Sequence, residues 1–258
     1  MSTVSLSFDD GVARLTLDRP EAANAIDAGL SRDIRDAVIA IERAPSVGAV
    51  LLTGNGKMFC GGGDLKSMSE SDDLPTLVEN ITIDFHAAVS RLARLDAPVV
   101  AGVHGAAGGA GMSLVAAADL VVAGESTVFR MGYTAAGLAP DGSSSFYLAR
   151  VVGLRRAMEL ALTNRPLDAA TAEAWGLVNR VVPDDDVQAE AESLARKLAS
   201  GARTALAEAK RLLLLGATSA LEEAMERESL AIARTAGTAD AAEGVRAFIE
   251  KRKPVFGG

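Results

Sequence analysis

Residues 58–65 read MFCGGGDL and residues 105–111 read GAAGGAG, and these two stretches decide the fold. Each follows a continuous apolar run, at residues 49–52 and 99–103, of the kind found in buried strands. Glycines let the backbone approach a ligand closely and direct unpaired N–H groups toward it, and the second stretch also opens an apolar helix, whose N-terminus carries partial positive charge. Two such turns can supply two donors to one oxygen, which is an oxyanion hole. Glycines that only permit close packing of strand and helix explain the pattern equally well.

The apolar pattern on either side of these turns predicts the remaining elements. Alternating residues around Asp9-Asp10-Gly11 predict a β-hairpin. Apolar residues at helical spacing predict a helix over residues 30–41 and a long helix over 74–95. Apolar runs predict further strands at 120–123 and 177–182. From about residue 143 the pattern is mostly helical. We therefore predict an α/β core of repeated strand–strand–helix turns over residues 1–195, and a helical segment over residues 196–258.

Composition restricts the class of protein. The chain has 258 residues, of which 49% are hydrophobic and 23% charged, which is typical of a globular protein. A formal net charge of −8 disfavours non-specific nucleic-acid binding, and the apolar stretches are too short to cross a bilayer. The N-terminus shows no export signal, and the single cysteine, Cys60, excludes an internal disulfide framework. We expect a cytoplasmic protein without a nucleic-acid or membrane partner.

Several familiar catalytic motifs are absent from the sequence. The stretch at residues 54–57 lacks the loop length and hydroxyl residue of a P-loop, and no dinucleotide fingerprint follows a strand. Residues 111–115 lack the second glycine of a nucleophile elbow. The two histidines, His86 and His104, have no metal-ligand spacing, so we predict no metal site and interpret both as structural or surface residues. Cys60 is interpreted as a small core side chain.

The two glycine turns, at this spacing, resemble those of the crotonase (enoyl-CoA hydratase/isomerase) superfamily. Further matches follow in the family's order: LDRP at 17–20 with ANA at 23–25 as in the CoA-binding loop, LTG at 52–54, AADL at 117–120, GLV at 176–178, and FIEKRKP at 248–254 as in the C-terminal signature. The resemblance implies a crotonase (ClpP/crotonase-like) ββα spiral core that binds acyl-CoA. It also implies a C-terminal helical segment for oligomerisation and CoA contacts, and a homotrimer or hexamer.

The resemblance also assigns roles to individual residues. The backbone N–H groups of Gly63 and Ala110 match the positions that bind the thioester carbonyl oxygen, so both are expected to act in catalysis. Expected substrate-binding residues are Ala23, Gly61, Asp64, Leu65, Lys66, Gly109, Ser113, Tyr133, Phe248 and Lys251. Lys66 and the basic run at 251–253 would face CoA phosphates, although a solvated helix end explains the run equally well. The CoA thioester is the substrate, and no separate cofactor is implied.

The chain departs from the hydratase pattern at two positions. Where hydratases carry two glutamates it has Ser113 and Tyr133, neither of which is a base near neutral pH. Asp141 instead matches the aspartate of family members that isomerise, including the epoxyphenylacetyl-CoA isomerases, whose second turn is the most similar; related chlorobenzoyl-CoA dehalogenases use it as a nucleophile. The alternative interpretation of Asp141 is an N-cap for a helix over residues 143–152.

These observations predict an acyl-CoA isomerase that moves a double bond, or opens a ring epoxide, with Asp141 as the base. Two alternatives stay open: an enoyl-CoA hydratase whose water is activated by Asp141, and a non-catalytic homologue that binds acyl-CoA or a protein. The acyl group is not specified, because the expected pocket residues, such as Met68, Leu74 and Phe85, are scattered along the chain.

Overall fold

Two β-sheets form the centre of the fold in the computed structural model, which describes residues 2–257. These residues contain nine strands: β1 (Val4–Asp9), β2 (Val12–Leu17), β3 (Ala49–Gly54), β4 (Val99–Val103), β5 (Ala106–Gly108), β6 (Leu120–Gly124), β7 (Val128–Arg130), β8 (Leu167–Asp168) and β9 (Arg180–Val182). The larger sheet has the order β1-β2-β3-β4-β6-β9 and the smaller one the order β5-β7-β8. Only β1 pairs antiparallel in the larger sheet, as the first arm of a hairpin with β2.

Helices cover both faces of the larger sheet. The α-helices within residues 2–257 are α1 (Ala28–Glu42), α2 (Leu65–Ser69), α3 (Leu74–Arg94), α4 (Ala110–Ala117), α5 (Ser144–Val152), α6 (Leu154–Thr163), α7 (Ala169–Ala174), α8 (Val187–Ala199), α9 (Arg203–Gly216), α10 (Leu221–Ala236) and α11 (Ala239–Ile249). The paired helices α1 and α3 contribute to the main core, while α8 packs against β3, β4 and β6 on the opposite face. Because both faces are covered, β4 is buried along its whole length and β3 along all but its last residue, which explains their continuous apolar sequences.

The main predictions for individual elements are confirmed. The hairpin surrounds residues 9–11, α1 and α3 lie where helical spacing predicts them, and β3, β4 and β6 match the predicted buried strands. The strand predicted at 177–182 begins only at Arg180, because the N–H groups of Leu177 and Val178 both donate to Ala172 O at the end of α7. The short strands β5, β7 and β8 were not predicted, since two or three residues are too few to show a period of two.

The helices after α8 expose many apolar side chains. These include Leu213, Leu221, Met225, Leu230, Ile232, Val245, Phe248 and Ile249. A partly buried ion pair joins α9 to the core: Lys210 Nζ lies 2.7 Å from Asp119 Oδ2. The predicted boundary at residue 195 falls inside α8, where Ala195 is buried, and the division into two domains stays a prediction. Within residues 2–257, no helix combines the length and apolar character needed to cross a bilayer.

Candidate active site

The two glycine-rich turns lie directly against each other. Cys60 N–H donates to Ala106 O at 3.2 Å, and Gly108 N–H donates back to Cys60 O at 2.9 Å. The turns approach so closely that a Cβ on Gly62 would lie 3.0 Å from Gly108 O, and one on Gly108 would lie 2.7 Å from Gly61 O. Gly62 also has a φ of +109°, which residues with a side chain rarely adopt. Glycine is therefore required here for the close approach of two backbones.

The backbone N–H groups of Gly63 and Ala110 have no hydrogen-bond acceptor among residues 2–257. One sequence neighbour of each is paired: Asp64 N–H donates to Ile26 O at 2.9 Å, and Gly109 N–H donates to Arg130 O at 2.9 Å. Ala110 is the first residue of α4, where the helix leaves its N–H groups unpaired and contributes partial positive charge. A Cβ on Gly109 would lie 3.9 Å from Gly63 N, so the two turns present these donors side by side.

These donors border a largely apolar cleft of about 350 Å³. It is lined by Ile26, Gly61, Gly62, Gly63, Leu65, Met68, Val78, Ile81, Thr82, Phe85, Gly108, Gly109, Ala110, Arg130, Gly132, Tyr133, Ala136, Leu138, Ala139 and Asp141. Of the scattered residues expected from sequence, Met68 and Phe85 lie in this wall, whereas Leu74 is outside it among the described residues. The wall thus combines an apolar surface with a single carboxylate, that of Asp141.

Asp141 does not cap a helix. The helix that follows it, α5, begins at Ser144 with Ser143 as its N-cap residue and without a side-chain capping hydrogen bond. The interpretation of Asp141 as an N-cap is therefore wrong, because the first N–H of α5, that of Ser144, donates to the main-chain oxygen of Asp141 at 3.1 Å and not to its carboxylate. Its carboxylate lines the cleft and is 27% exposed. The nearest basic group is Nε2 of His86, 3.8 Å from Asp141 Oδ2.

Ser113 and Tyr133, which the resemblance predicted to replace the glutamates of hydratases, form a hydrogen-bonded pair. Their oxygens are 3.0 Å apart, and Ser113 Oγ also donates to the main-chain oxygen of Asp141 at 3.0 Å. Burial raises the pKa of the Tyr133 phenol well above its ordinary value, and the nearby negative charge of Asp141 raises that pKa further. The phenol therefore stays protonated near neutral pH. Both side chains contact the backbone that carries Asp141, and neither supplies a base.

His86 is the functional candidate that sequence reasoning missed. The N–H of Gly142 donates to His86 Nε2 at 3.1 Å, so α3 contacts the loop that carries Asp141. Because 55 residues separate His86 from Asp141, no local motif could have joined them. The sequence contains one weak signal that His86 lies near the cleft. His86 directly follows Phe85 and lies one helical turn after Thr82, and both of these residues line the cleft.

The N-terminal loop supports the first glycine turn. Gly61 N–H donates to Ala23 O at 2.8 Å. Asp64 accepts a hydrogen bond from Ser67 N and pairs with Arg19 Nη2 at 3.1 Å. Partial burial opposes ionisation of Asp64, but these two partners hold its pKa below the ordinary value. The carboxylate of Asp64 is therefore already neutralised by Arg19 and orders the turn.

Six of the ten expected substrate-binding residues are not part of the cleft wall: Ala23, Asp64 and Ser113, whose contacts are described above, and Lys66, Phe248 and Lys251. Lys66 and Lys251 are exposed and Phe248 is 86% exposed, and none of the three belongs to the wall formed by residues 2–257 of one chain. Their contacts with CoA stay predictions. The described residues also contain no cluster of three or more histidine, cysteine, aspartate or glutamate side chains arranged to hold a metal ion.

Comparisons with known proteins agree with this geometry. The model of the enoyl-CoA hydratase/isomerase family matches residues 7–258, and the chain belongs to that family. A crystal structure of an enoyl-CoA hydratase from Polaromonas sp. JS666 superposes with a TM-score of 0.92 at 32% identity, covering 97% of this chain and 98% of that one. The architecture is therefore the crotonase fold, as predicted.

Relatives of similar closeness carry different names. The chain is 36% identical to the 1,2-epoxyphenylacetyl-CoA isomerase of Escherichia coli (strain K12), over 100% of this chain and 99% of that protein. It is also 36% identical to the 4-chlorobenzoyl coenzyme A dehalogenase-2 of Arthrobacter sp., over 96% of this chain and 91% of that protein. The family is one of enzymes acting on CoA thioesters, and the reaction of this chain depends on its own side chains.

Proposed function

We propose that the protein is an acyl-CoA isomerase that transfers a proton within its substrate. One observation carries this proposal: the carboxylate of Asp141 lines the same apolar cleft as the unpaired N–H groups of Gly63 and Ala110. The two positions that hold glutamates in hydratases carry a serine and a tyrosine here, which contact each other. The site therefore offers one base together with two donors to one oxygen.

This arrangement suits a reaction with a single base. The carboxylate of Asp141 removes a proton from a carbon next to the thioester carbonyl, or conjugated with it. Negative charge moves onto the carbonyl oxygen, where the two N–H donors at the edge of the largely apolar cleft stabilise it; one such donor contributes about 3–4 kcal/mol in other enzymes. The carboxylic acid then returns the proton to a different carbon, which shifts the double bond. No water is consumed, and the enzyme ends as it began.

Apolar residues around the base support an apolar acyl group as substrate. Phe85 is fully buried and Met68 lies over the first turn, where its Cε is 3.0 Å from the position a Cβ on Gly63 would take. Such a wall binds hydrocarbon by removing it from water, and it limits the access of water to the enolate. Hydration needs an ordered water at the β-carbon, for which this wall offers few polar partners.

Replacing Asp141 by Asn tests the proposal. The amide keeps the size of the side chain but cannot act as a base, so turnover of 3-enoyl-CoA to 2-enoyl-CoA should fall by about 10²–10⁴-fold. Binding of the CoA thioester should change little. The matched control is Asp72→Asn, an exposed aspartate outside the cleft, which should retain turnover. Near-normal turnover in Asp141→Asn would refute the proposal, and formation of 3-hydroxyacyl-CoA by the unchanged protein would identify a hydratase instead.

The imidazole beside Asp141 favours a second candidate, a hydrolytic substitution on an aromatic acyl-CoA. A carboxylate can act as a nucleophile and displace a leaving group, forming an ester with the enzyme. Water that loses its proton to His86, whose Nε2 lies 3.8 Å from Asp141 Oδ2, would then attack the ester carbonyl and release the hydroxylated product. Incubation with 4-chlorobenzoyl-CoA distinguishes the candidates. Chloride release with a mass increase on Asp141 supports substitution, and absence of both supports isomerisation.

A further inference from the structure

The peptide unit that joins Asp141 to Gly142 is hydrogen-bonded at both of its ends. Its carbonyl oxygen accepts from Ser113 Oγ on α4 at 3.0 Å, and from Ser144 Oγ and Ser144 N–H at the start of α5 at 2.9 and 3.1 Å. Its N–H donates to His86 Nε2 on α3 at 3.1 Å. The carbonyl end of this peptide unit is therefore held from α4 and α5, whereas its N–H end is held by His86 on α3.

The conformation of this loop explains why these partners are needed. Gly142 and Ser143 both have left-handed φ angles, +60° and +73°, and a serine is unfavourable there. The loop also packs closely against α3 and α4, since a Cβ on Gly142 would lie 2.5 Å from Phe85 Cε1 and 3.0 Å from Ser113 Cβ. A backbone with this conformation persists only where its surroundings hold it. The hydrogen bonds from α3 and α4 provide that support.

The bond to His86 requires a neutral ring. Since Nε2 accepts the N–H of Gly142, the ring proton belongs on Nδ1. A protonated imidazole has two donors and no acceptor, so it cannot accept this bond. Its Nε2–H would instead face the Gly142 N–H and be attracted to Asp141 Oδ2, 3.8 Å away. The side chain of His86 is 52% exposed and can therefore exchange protons with solvent.

We propose that His86 is a positioning residue, which as a neutral imidazole holds the Asp141–Gly142 peptide in the active orientation and releases it when protonated. This inference rests on the proposed role of Asp141 as the base. Protonation of His86 at low pH then inactivates the site in two ways. The loop loses the hydrogen bond from Gly142 N–H to His86, and the carboxylate of Asp141 pairs with the imidazolium and no longer faces the substrate. Ser113 holds the other end of the peptide and does not titrate.

The charges around His86 leave Asp141 as its partner. It is the only carboxylate within 4.0 Å of the ring nitrogens among residues 2–257. The helix that carries His86, α3, has four other charged side chains: Glu79, Asp84, Arg91 and Arg94. The titratable or charged side chains on the neighbouring elements are Arg32, Asp33, Arg35, Asp36 and Glu42 on α1, Lys66 on α2, and Tyr133 and Asp141 in the loop before α5. Helix α4 has none. Asp84 pairs with Arg35, and Glu42 with Arg91.

Two substitutions of His86 separate positioning from a direct role. In His86→Gln the amide oxygen can accept the Gly142 N–H at every pH, whereas His86→Leu provides no acceptor. Histidine changes its charge between about pH 5 and 8. We expect His86→Gln to retain kcat at pH 8 and to lose the part of the acid-side decline that the unchanged protein shows in this range. We expect His86→Leu to lose kcat at all pH values, by up to about 10²-fold, with little change in KM. His104→Gln, the other histidine, should keep the original profile.

Each outcome of this experiment is decisive. The inference is wrong if His86→Gln keeps the acid-side decline of the unchanged protein, or if it is as inactive as His86→Leu at pH 8, since the latter result would make the imidazole itself a proton carrier. Should His86→Leu fail to fold, the pH profile of His86→Gln still decides. Asp141→Asn measured in parallel separates the two proposals. If Asp141→Asn is active, the proposed function is wrong. If Asp141→Asn is inactive but His86→Gln has the same pH profile as the unchanged protein, only the inference about His86 is wrong.

Discussion

Asn24 is expected to be the polar side chain whose loss most weakens the first glycine turn. It is fully buried, its Oδ1 accepts Arg19 N–H at 2.8 Å, and its Nδ2 lies 2.9–3.0 Å from the carbonyl oxygens of Asn55, Met58 and Phe59. An amide nitrogen has two hydrogens, so two of these three carbonyls are fully bonded at a time. Substitution by Ala thus removes three hydrogen bonds at about 1 kcal/mol each. Its left-handed φ of +52° adds about 1 kcal/mol for a residue with a Cβ.

The expected loss in Asn24→Ala is therefore about 4 kcal/mol of unfolding free energy. Asn164 is a matched control, because it has the same φ of +52° but donates only one hydrogen bond, to Thr134 Oγ1. Asn164→Ala should cost about 2 kcal/mol. Urea unfolding at one fixed protein concentration measures both, through a shift in midpoint at constant slope. The reasoning is refuted if Asn24→Ala is no less stable than Asn164→Ala.

Three further outcomes are expected. Burial raises the pKa of the Cys60 thiol to about 12, so a thiol reagent at pH 8 should label the unfolded chain but not the folded protein. Hydrogen bonds from Arg252 hold the pKa of Glu243 at about 2, below its ordinary 4.5, so the contribution of this pair is present above about pH 4.5 and is lost as the pH falls toward 2. The protection factor of the Val255 N–H, which donates to Glu243, should fall in that window and stay constant between pH 6 and 8. Sedimentation should show an oligomer in multiples of three, with residues after about 195 in the interface, and a stable monomer at micromolar concentration would contradict this prediction.

Much of the fold could be predicted from local patterns. The continuous apolar runs of β3 and β4 identify strands covered on both faces, and the glycines that follow them mark the turns where two backbones approach each other. The positions of Gly63, Ala110 and Asp141 follow from the resemblance of these turns to one family. Strands β5, β7 and β8 could not be predicted, because their pairing depends on contacts between distant segments.

The sequence by itself determined the family, the buried strands, the two glycine-rich turns and the presence of serine and tyrosine at residues 113 and 133. Each of these depends on residue type at short spacing. Only the tertiary structure decided that Asp141 faces the cleft without capping α5, and that His86 and Ser113 hold its peptide from opposite sides. The physical reason is that hydrogen-bond partners from α3 and α4 stabilise a left-handed loop that its own sequence does not favour. Such partners lie 28 and 55 residues away along the chain, and packing alone brings them together.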